Sequence, residues 1–335
     1  MIAIRLMTAA DIPLGMRLKN QADWNQTEAD WRRLLAMDPD GCFVAELDGR
    51  AVGTTATTLF GPIGWISMVL VEASVRRLGI GTRLLEHALA YLDRAGAKTV
   101  RLDATPLGRP VYEKLGFVAD YELARWEGAA SRAAPSFVIT SEEGFRSAQR
   151  QGEVAVEVSP LGPGELQRLW AFSTGKGQPP VRLPSPHSPP EAGEELPAAP
   201  ELLTGACALD FEVTGTHRRR LIERLYQERL GAFRAHAGSS DVLAYGAWRY
   251  GSHATQIGPL VSRNETAGRA LAEVVLARLA GQPILVDIPV SNGPAVAWAQ
   301  SHGLTVQRPF LRMHRGPPVL DEPKQIWASF GPEKG

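Results

Sequence analysis

Apolar and polar residues alternate with a period of two over residues 2–6 and shift to helical spacing over 10–20, so the chain opens with a strand and a helix. Thr27-Glu28-Ala29-Asp30 reads as a capping box that starts a second helix, ending near Asp38-Pro39-Asp40-Gly41. Apolar runs at 42–47 and 51–59 flank Asp48-Gly49 and predict a hairpin. The turn Gly61-Pro62-Ile63-Gly64 leads into a strand over 65–71. Leu84, Leu85, Ala88, Leu89 and Leu92 share one face of a helix predicted over 82–95, which Gly96 stops. A strand over 98–103, a short helix over 110–115 ended by Gly116, and a strand over 117–126 complete the unit.

The pattern then blurs and restarts. Residues 154–169 repeat the opening order of strand, polar turn and helix. A tract over 175–201 interrupts the second unit with eight of the chain's 25 prolines, a composition that need not pack a core. Beyond it come a helix over 218–230, strands around 242–248 and 254–261, a helix over 267–279, a strand over 284–288 and a helix over 295–301. The halves align on one another: Leu70-Val71 with Leu260-Val261, the helix residues Leu84–Leu92 with Leu271–Leu279, residues 100–103 with 284–287, and 113–117 with 300–304. Four elements in the same order indicate an internal duplication.

Composition adds little beyond confirming a globular chain. Of 335 residues, 44% are hydrophobic and 21% charged, and the formal net charge is zero. That balance argues against a nucleic-acid or membrane-surface partner. The run His217-Arg218-Arg219-Arg220, followed by Glu223 and Glu228, reads as a solvated helix face. Cys42 and Cys207 lie far apart among apolar neighbours, as core thiols of a reducing compartment would. No metal spacing, signal peptide or membrane-length apolar run is present, which points to a cytoplasmic location. The oligomeric state is not legible.

The chemistry concentrates where the strand over 65–71 meets the next helix. There Arg76-Arg77-Leu78-Gly79-Ile80-Gly81 places two cations and two glycines at a helix N-terminus, a geometry suited to a pyrophosphate. A dinucleotide fold would want a third glycine where Leu84 stands and a βαβ start, although Asp103 could supply its acid. The turn instead resembles the acyl-coenzyme A loop of the GNAT acetyltransferases, Gln/Arg-x-x-Gly-x-Gly/Ala. The segment Arg109-Pro110-Val111-Tyr112-Glu113-Lys114-Leu115-Gly116-Phe117 resembles that family's Tyr-Glu-Lys-Leu-Gly-Phe motif.

The resemblance implies an α/β protein of α+β type with two GNAT-like domains, each a mixed, splayed central sheet flanked by helices. The domains would be 1–127, binding acetyl-CoA, and 154–316, degenerate, with a connector at 128–153 and a tail at 317–335. It implies coenzyme contacts from Val69, Leu70, Val71, Arg76, Arg77, Leu78, Gly79, Ile80, Gly81, Thr82 and Thr105, the last standing where many members carry Asn. Tyr112 takes the position that faces the coenzyme sulfur, as an acid for the leaving thiolate. Asp103 and Glu72 are the candidate bases. Asp23, Trp24 and Asn25, in a loop rich in aromatics and acids, are candidates for the acceptor, a primary amine of a small molecule or peptide.

Twelve residues separate Val71 from Leu84, but only nine separate Val261 from Leu271, and the second loop lacks the Gly-x-Gly pair. Ala299 stands where Tyr112 does in the first half. The second half is therefore expected to be structural, or to wall the first site with Asp287, Asn292 and Trp298. The leading expectation is an acetyl-CoA-dependent N-acetyltransferase. The alternatives are a non-catalytic acyl-CoA-binding regulatory module, or a tandem acyl- or aminoacyltransferase.

Overall fold

The computed structural model describes residues 1–130, 155–160, 169–172, 200–228, 233–236 and 242–333. The expected connector from residue 131, the turn and helix at 161–168 and the proline-rich tract up to residue 199 lie outside the described residues.

The first unit runs β1 (Ile2–Leu6), α1 (Ile12–Gln21), α2 (Glu28–Met37), β2 (Cys42–Leu47), β3 (Arg50–Phe60), β4 (Ile63–Val71), α3 (Ile80–Arg94), β5 (Thr99–Ala104), α4 (Arg109–Lys114) and β6 (Val118–Ala129). The second comprises β7 (Ala155–Pro160), β8 (Leu169–Phe172), α5 (Pro200–Thr214), α6 (Arg219–Gln227), β9 (Phe233–His236), β10 (Val242–Arg249), β11 (Thr255–Ser262), α7 (Glu265–Arg278), β12 (Pro283–Pro289), α8 (Gly293–Ser301), β13 (Thr305–Arg315) and β14 (Ile326–Ala328). The Thr27 capping box forms as expected, the Thr27 N–H donating to Asp30 at 2.9 Å. Leu169 begins a strand rather than continuing a helix.

All described strands form one sheet in the order β1-β2-β3-β4-β5-β13-β6-β12-β11-β10-β9-β7-β8, with β14 attached to β11. The halves exchange their last strands. β13, from the second half, pairs antiparallel with β5, while β6, from the first, pairs antiparallel with β12. β6 and β13 also pair with each other and close the seam. Strands β5 and β12 thus occupy equivalent places on either side of that central pair, as do β4 and β11.

Helix α3 lays Leu84, Leu85, Ala88 and Leu92, all fully buried, against Ile66, Val100 and Leu102 of the sheet. Burial of such side chains contributes about 1.5–3 kcal/mol each. Helices α1 and α2 cover the opposite face through Leu14, Leu18, Trp31 and Leu34. A further core joins the halves: Met37, Phe60 and Trp65 pack with Leu209, Leu221, Tyr245 and Phe330. The basic run is only partly the solvated face expected of it. Arg218 is buried, paired with Asp210 at 2.6 Å and lying 4.8 Å from the Phe330 ring centroid. Its neighbour Arg219 does pair with Glu223 at the surface.

No helix among the described residues is long and apolar enough to cross a membrane. Both cysteines are free thiols, and burial pushes the Cys42 thiol up to about 12.

Candidate functional site

β4 and β5 run parallel for only three residue pairs, Ile63–Thr99, Gly64–Val100 and Trp65–Arg101, and then separate. A bulge drives the separation. Between Thr54 and Ala56 of β3, the register against β4 slips by one residue, and Met68 adopts φ +53°. The extra residue bends β4 away from its neighbour. From Ile66 onward, no strand among the described residues pairs with the β5 side of β4. The resulting cleft is part of a cavity of about 1060 Å³ lined by Val69, Leu70 and Val71. Its exposed backbone groups await an extended, hydrogen-bonding partner.

The cavity continues to the start of α3. Gly79 caps that helix at φ +79°, and Arg77 before it also has positive φ, +65°. A side chain at Gly79 would strain the turn. The first backbone bond of the helix runs from the Arg83 N–H to the Gly79 carbonyl, 3.0 Å. The amides of Ile80, Gly81 and Thr82 are thus left for a ligand at the positive end of a fifteen-residue helix. Arg76, Arg77, Gly79, Ile80, Gly81 and Thr82 all line the cavity. Leu78 does not; its side chain is solvent-exposed, so only its main chain could contribute. Space around the modest Gly81 cradle is open, its nearest neighbour to a Cβ being Val71 at 3.7 Å. Three orphan amides, two arginines and unobstructed glycines fit a pyrophosphate.

Tyr112, on α4, faces the same cavity. Its ring packs edge-on to Phe117 at 6.0 Å, and desolvation pushes its phenol up to about 12. It therefore carries its proton at any physiological pH. Thr105 also lines the cavity, and its hydroxyl accepts the Gly108 N–H at 3.2 Å, shaping the turn into α4.

The two carboxylates expected to act as bases are otherwise engaged. Asp103 reaches the cavity, but its side chain is 2% exposed and both oxygens accept from Arg312, at 2.8 and 2.9 Å. Both oxygens are committed to a two-pronged ion pair that fixes the carboxylate in place. Glu72 does not line the cavity; Arg50 at 3.1 Å and Arg17 at 3.6 Å hold it at the rim.

Of the loop between α1 and α2, Trp24 lines the cavity and Asp23 and Asn25 do not. Asp23 points outward, 3.5 Å from His253. Asn25 is a clamp between the halves rather than a substrate residue. Its amide donates to the Ala254 carbonyl at 2.9 Å and its oxygen accepts the N–H groups of His253 and Ala254 at 2.9 and 3.1 Å. The neighbouring Gln26 faces the cavity instead.

The remaining wall comes from places no local pattern marks. Arg125 ends the first half, Arg308 and Phe310 stand on β13, and Pro332 and Glu333 follow β14. The Trp65 indole N–H donates to the Pro332 carbonyl at 3.2 Å and Gln26 donates to Glu333 at 2.9 Å, fixing that segment in the first half's site. The second half does wall the first site, but not with Asp287, Asn292 and Trp298. Asp287 is locked to Arg125 by two bonds of 2.7 Å. Asn292 caps α8 and donates to the Ile326 carbonyl at 2.9 Å, and Trp298 is core.

The second half repeats the splay and fills it. β11 and β12 are parallel for three pairs, Thr255–Ile284 to Ile257–Val286, and then part. Here β14 enters the gap, pairing Leu260 with Ala328 and Val261 with Ile326. The Ser329 N–H donates to the Asp287 carbonyl of β12 at 2.9 Å, so the segment bridges both strands. Trp327 presses on the start of α7, where a Cβ on Gly268 would fall 2.1 Å from its indole nitrogen. The chain's own strand thus occupies the place that stays open between β4 and β5.

Known proteins agree with this architecture. The model described as the acetyltransferase (GNAT) family matches residues 14–117, and that described as the acetyltransferase (GNAT) domain matches 206–328. An uncharacterized N-acetyltransferase of Archaeoglobus fulgidus is 37% identical over 105 residues, 29% of this chain and 69% of that protein. The uncharacterized N-acetyltransferase YitH of Bacillus subtilis is 31% identical over 102 residues, 30% of this chain but only 36% of the relative's length. Among solved structures, a protein from Pyrococcus horikoshii superposes with a TM-score of 0.72 at 19% identity, covering 100% of this chain and 96% of its own. A tandem GNAT protein from the clavulanic acid biosynthesis pathway gives 0.59 at 13% identity, covering 95% and 100%. The two matched segments are the two units that share one sheet, and the chain belongs to the GNAT acetyltransferase family as a tandem member.

Proposed function

We propose that this protein is an acetyl-CoA-dependent N-acetyltransferase that acetylates a primary amine of a small molecule or peptide, with coenzyme binding and chemistry both in the first half. One observation carries the reading: the β4–β5 cleft is open and ends at the α3 N-terminus, whereas the β11–β12 cleft holds β14.

Acetyl-CoA would supply an activated acyl group and a thiolate leaving group. The amides of Ile80, Gly81 and Thr82, with Arg76 and Arg77, would hold its pyrophosphate. The unpaired edge of β4 at Val69, Leu70 and Val71 would bond the pantetheine arm, and an amide there would steady negative charge developing on the thioester oxygen. Tyr112 keeps its proton up to about pH 12 and would hand it to the sulfur as the C–S bond breaks and the amine nitrogen bonds the acyl carbon. The proton lost by that nitrogen would leave to water, from which the phenol is restored. Asp103 is assigned a structural part through Arg312, and Glu72 a place outside the cavity.

The reading is tested by calorimetry followed by an amine panel monitored through thiol release. One coenzyme A per chain is expected, together with turnover on some primary amine. Two equivalent sites would sink the assignment to the first half. Tight binding with no thiol released on any amine would favour a regulatory module. The pH profile gives a further expectation. The phenol is neutral below about pH 12, so its ionisation should take nothing from kcat across the alkaline range. A decline centred near the ordinary phenol value of about 10, and absent in Tyr112→Phe, would contradict this environment.

A further inference from the structure

The acceptor end of the cavity carries both signs of charge, arranged unlike the rest of the molecule. Buried arginines along the seam are matched by carboxylates: Arg125 by Asp287, Arg312 by Asp103, Arg101 by Asp120 and Asp321, and Arg249 by Asp30 and Glu333. Arg308 is the exception among the cavity-lining residues of β13. Half-buried, it donates to neutral oxygens, the Gln307 side chain at 3.0 Å and the Asp23 carbonyl at 3.5 Å, and forms no ion pair among the described residues. Desolvation and the nearby Arg125 push its guanidinium below the ordinary arginine value. The carboxylates of Asp23, Asp287 and Glu127 act on it only from beyond ion-pair distance, and its two hydrogen bonds leave further guanidinium N–H donors for an anion brought by a ligand.

Arg308 belongs to the acceptor end and not to the coenzyme end. It touches the α1–α2 loop through Asp23. The charges close enough to act on it are Arg125, Asp23, Asp287 and Glu127, and none comes from the turn at 76–82. The same wall presents Glu333, 1% exposed and bonded to Arg249 and Gln26. Glu333 lines the cavity, and a carboxylate in the wall attracts an ammonium. Gln26 adds a buried side-chain oxygen with no hydrogen-bond partner, and Trp24 adds an aromatic surface.

We infer that the acceptor is an amine that also bears a carboxylate, its carboxylate bound by Arg308 and its ammonium drawn to Glu333 and Gln26. The inference rests on the acetyltransferase reading for the word acceptor, but the binding it specifies stands apart from turnover. A single guanidinium matches a monoanionic carboxylate in a two-pronged contact. Selectivity would then come from the second half, because the exchanged strand β13 brings Arg308 and the segment after β14 brings Glu333.

The test titrates the coenzyme A-saturated protein by calorimetry with matched pairs: glycine and glycinamide, β-alanine and its amide, lysine and cadaverine, with 2-aminoethyl phosphate as a phosphate arm. The carboxylate member should bind about tenfold to a hundredfold more tightly, the range for a charged hydrogen-bonded contact. Arg308→Gln should remove that preference while leaving the neutral members and coenzyme affinity unchanged, and Arg308→Lys should restore part of it. Equal binding within pairs, a preference that survives in Arg308→Gln, tightest binding of the phosphate, or no binding by any carboxylate amine would each overturn the inference. Thiol release separates it from the parent reading. Discrimination between pairs without thiol release sinks the enzyme and keeps this specificity. Thiol release from neutral and carboxylate amines alike keeps the enzyme and sinks the specificity.

Discussion

Tyr112→Phe should lower kcat by about 10²–10⁴-fold, the usual worth of a positioned general acid. The substitution removes one hydroxyl and keeps the ring, so the edge-on contact with Phe117 and the fit beneath Gly108 should survive. Stability and coenzyme affinity should change little. The hydroxyl is the atom that matters because it is a donor in a desolvated place: burial pushes its pKa to about 12, and no neighbouring charge is needed to explain that. The loss should fall on kcat far more than on KM, since the proton is transferred only as the sulfur departs. A variant with unchanged kcat, measured where chemistry limits the rate, would remove Tyr112 from the mechanism and leave it as packing.

What the sequence disclosed was whatever could be settled within a few residues. The phosphate turn is local: Arg76 to Thr82 both make the turn and line the cavity, apart from the exposed Leu78. Helix α3 announced itself because it buries one face in a regular rhythm, and strands β4 and β5 are short segments buried along nearly their whole length between turn signals. β13 hid for a physical reason. It is a central strand, but Arg312 and His314 interrupt its apolar rhythm and Pro309 argues against a central strand. Those polar residues are tolerated because neighbouring strands supply their partners, Asp103 for Arg312 and Asp120 for His314. Asn25 misled in the opposite direction. An asparagine beside tryptophans in a loop suggests a ligand, yet its partners lie at residues 253 and 254, a distance in sequence that no local pattern spans.

The second half reads differently once β14 is in place. Sequence showed a shortened loop at 262–270 and no counterpart of Tyr112, which explains why that half should not bind coenzyme. It did not show that the empty splay would be closed by the chain itself. Filling it satisfies backbone groups on β11 and β12 that would otherwise be buried without partners, a cost of roughly 1–3 kcal/mol apiece. The same strand then carries Pro332 and Glu333 across to the first half's cavity. One segment thus fills the second splay and walls the first cavity.

Asp103→Asn should cost about 3–5 kcal/mol of stability, the usual penalty for stranding one charge of a buried pair. Arg312 is committed on every side. Two of its nitrogens donate to Asp103, a third donates to the Tyr121 hydroxyl at 2.9 Å, and its guanidinium lies 4.9 Å from the Trp65 ring centroid. An asparagine offers one acceptor and no charge, so a buried cation would be left underpaired on the strand that joins the halves. The double variant Asp103→Leu/Arg312→Met removes both charges and both desolvation costs, and should regain most of the lost stability in chemical denaturation. Its turnover decides between two roles for Asp103. If the carboxylate only anchors β13 to β5, activity per folded molecule should return with stability. A double variant that melts like the parent and binds coenzyme A, yet turns over a hundredfold more slowly, would restore Asp103 as the base.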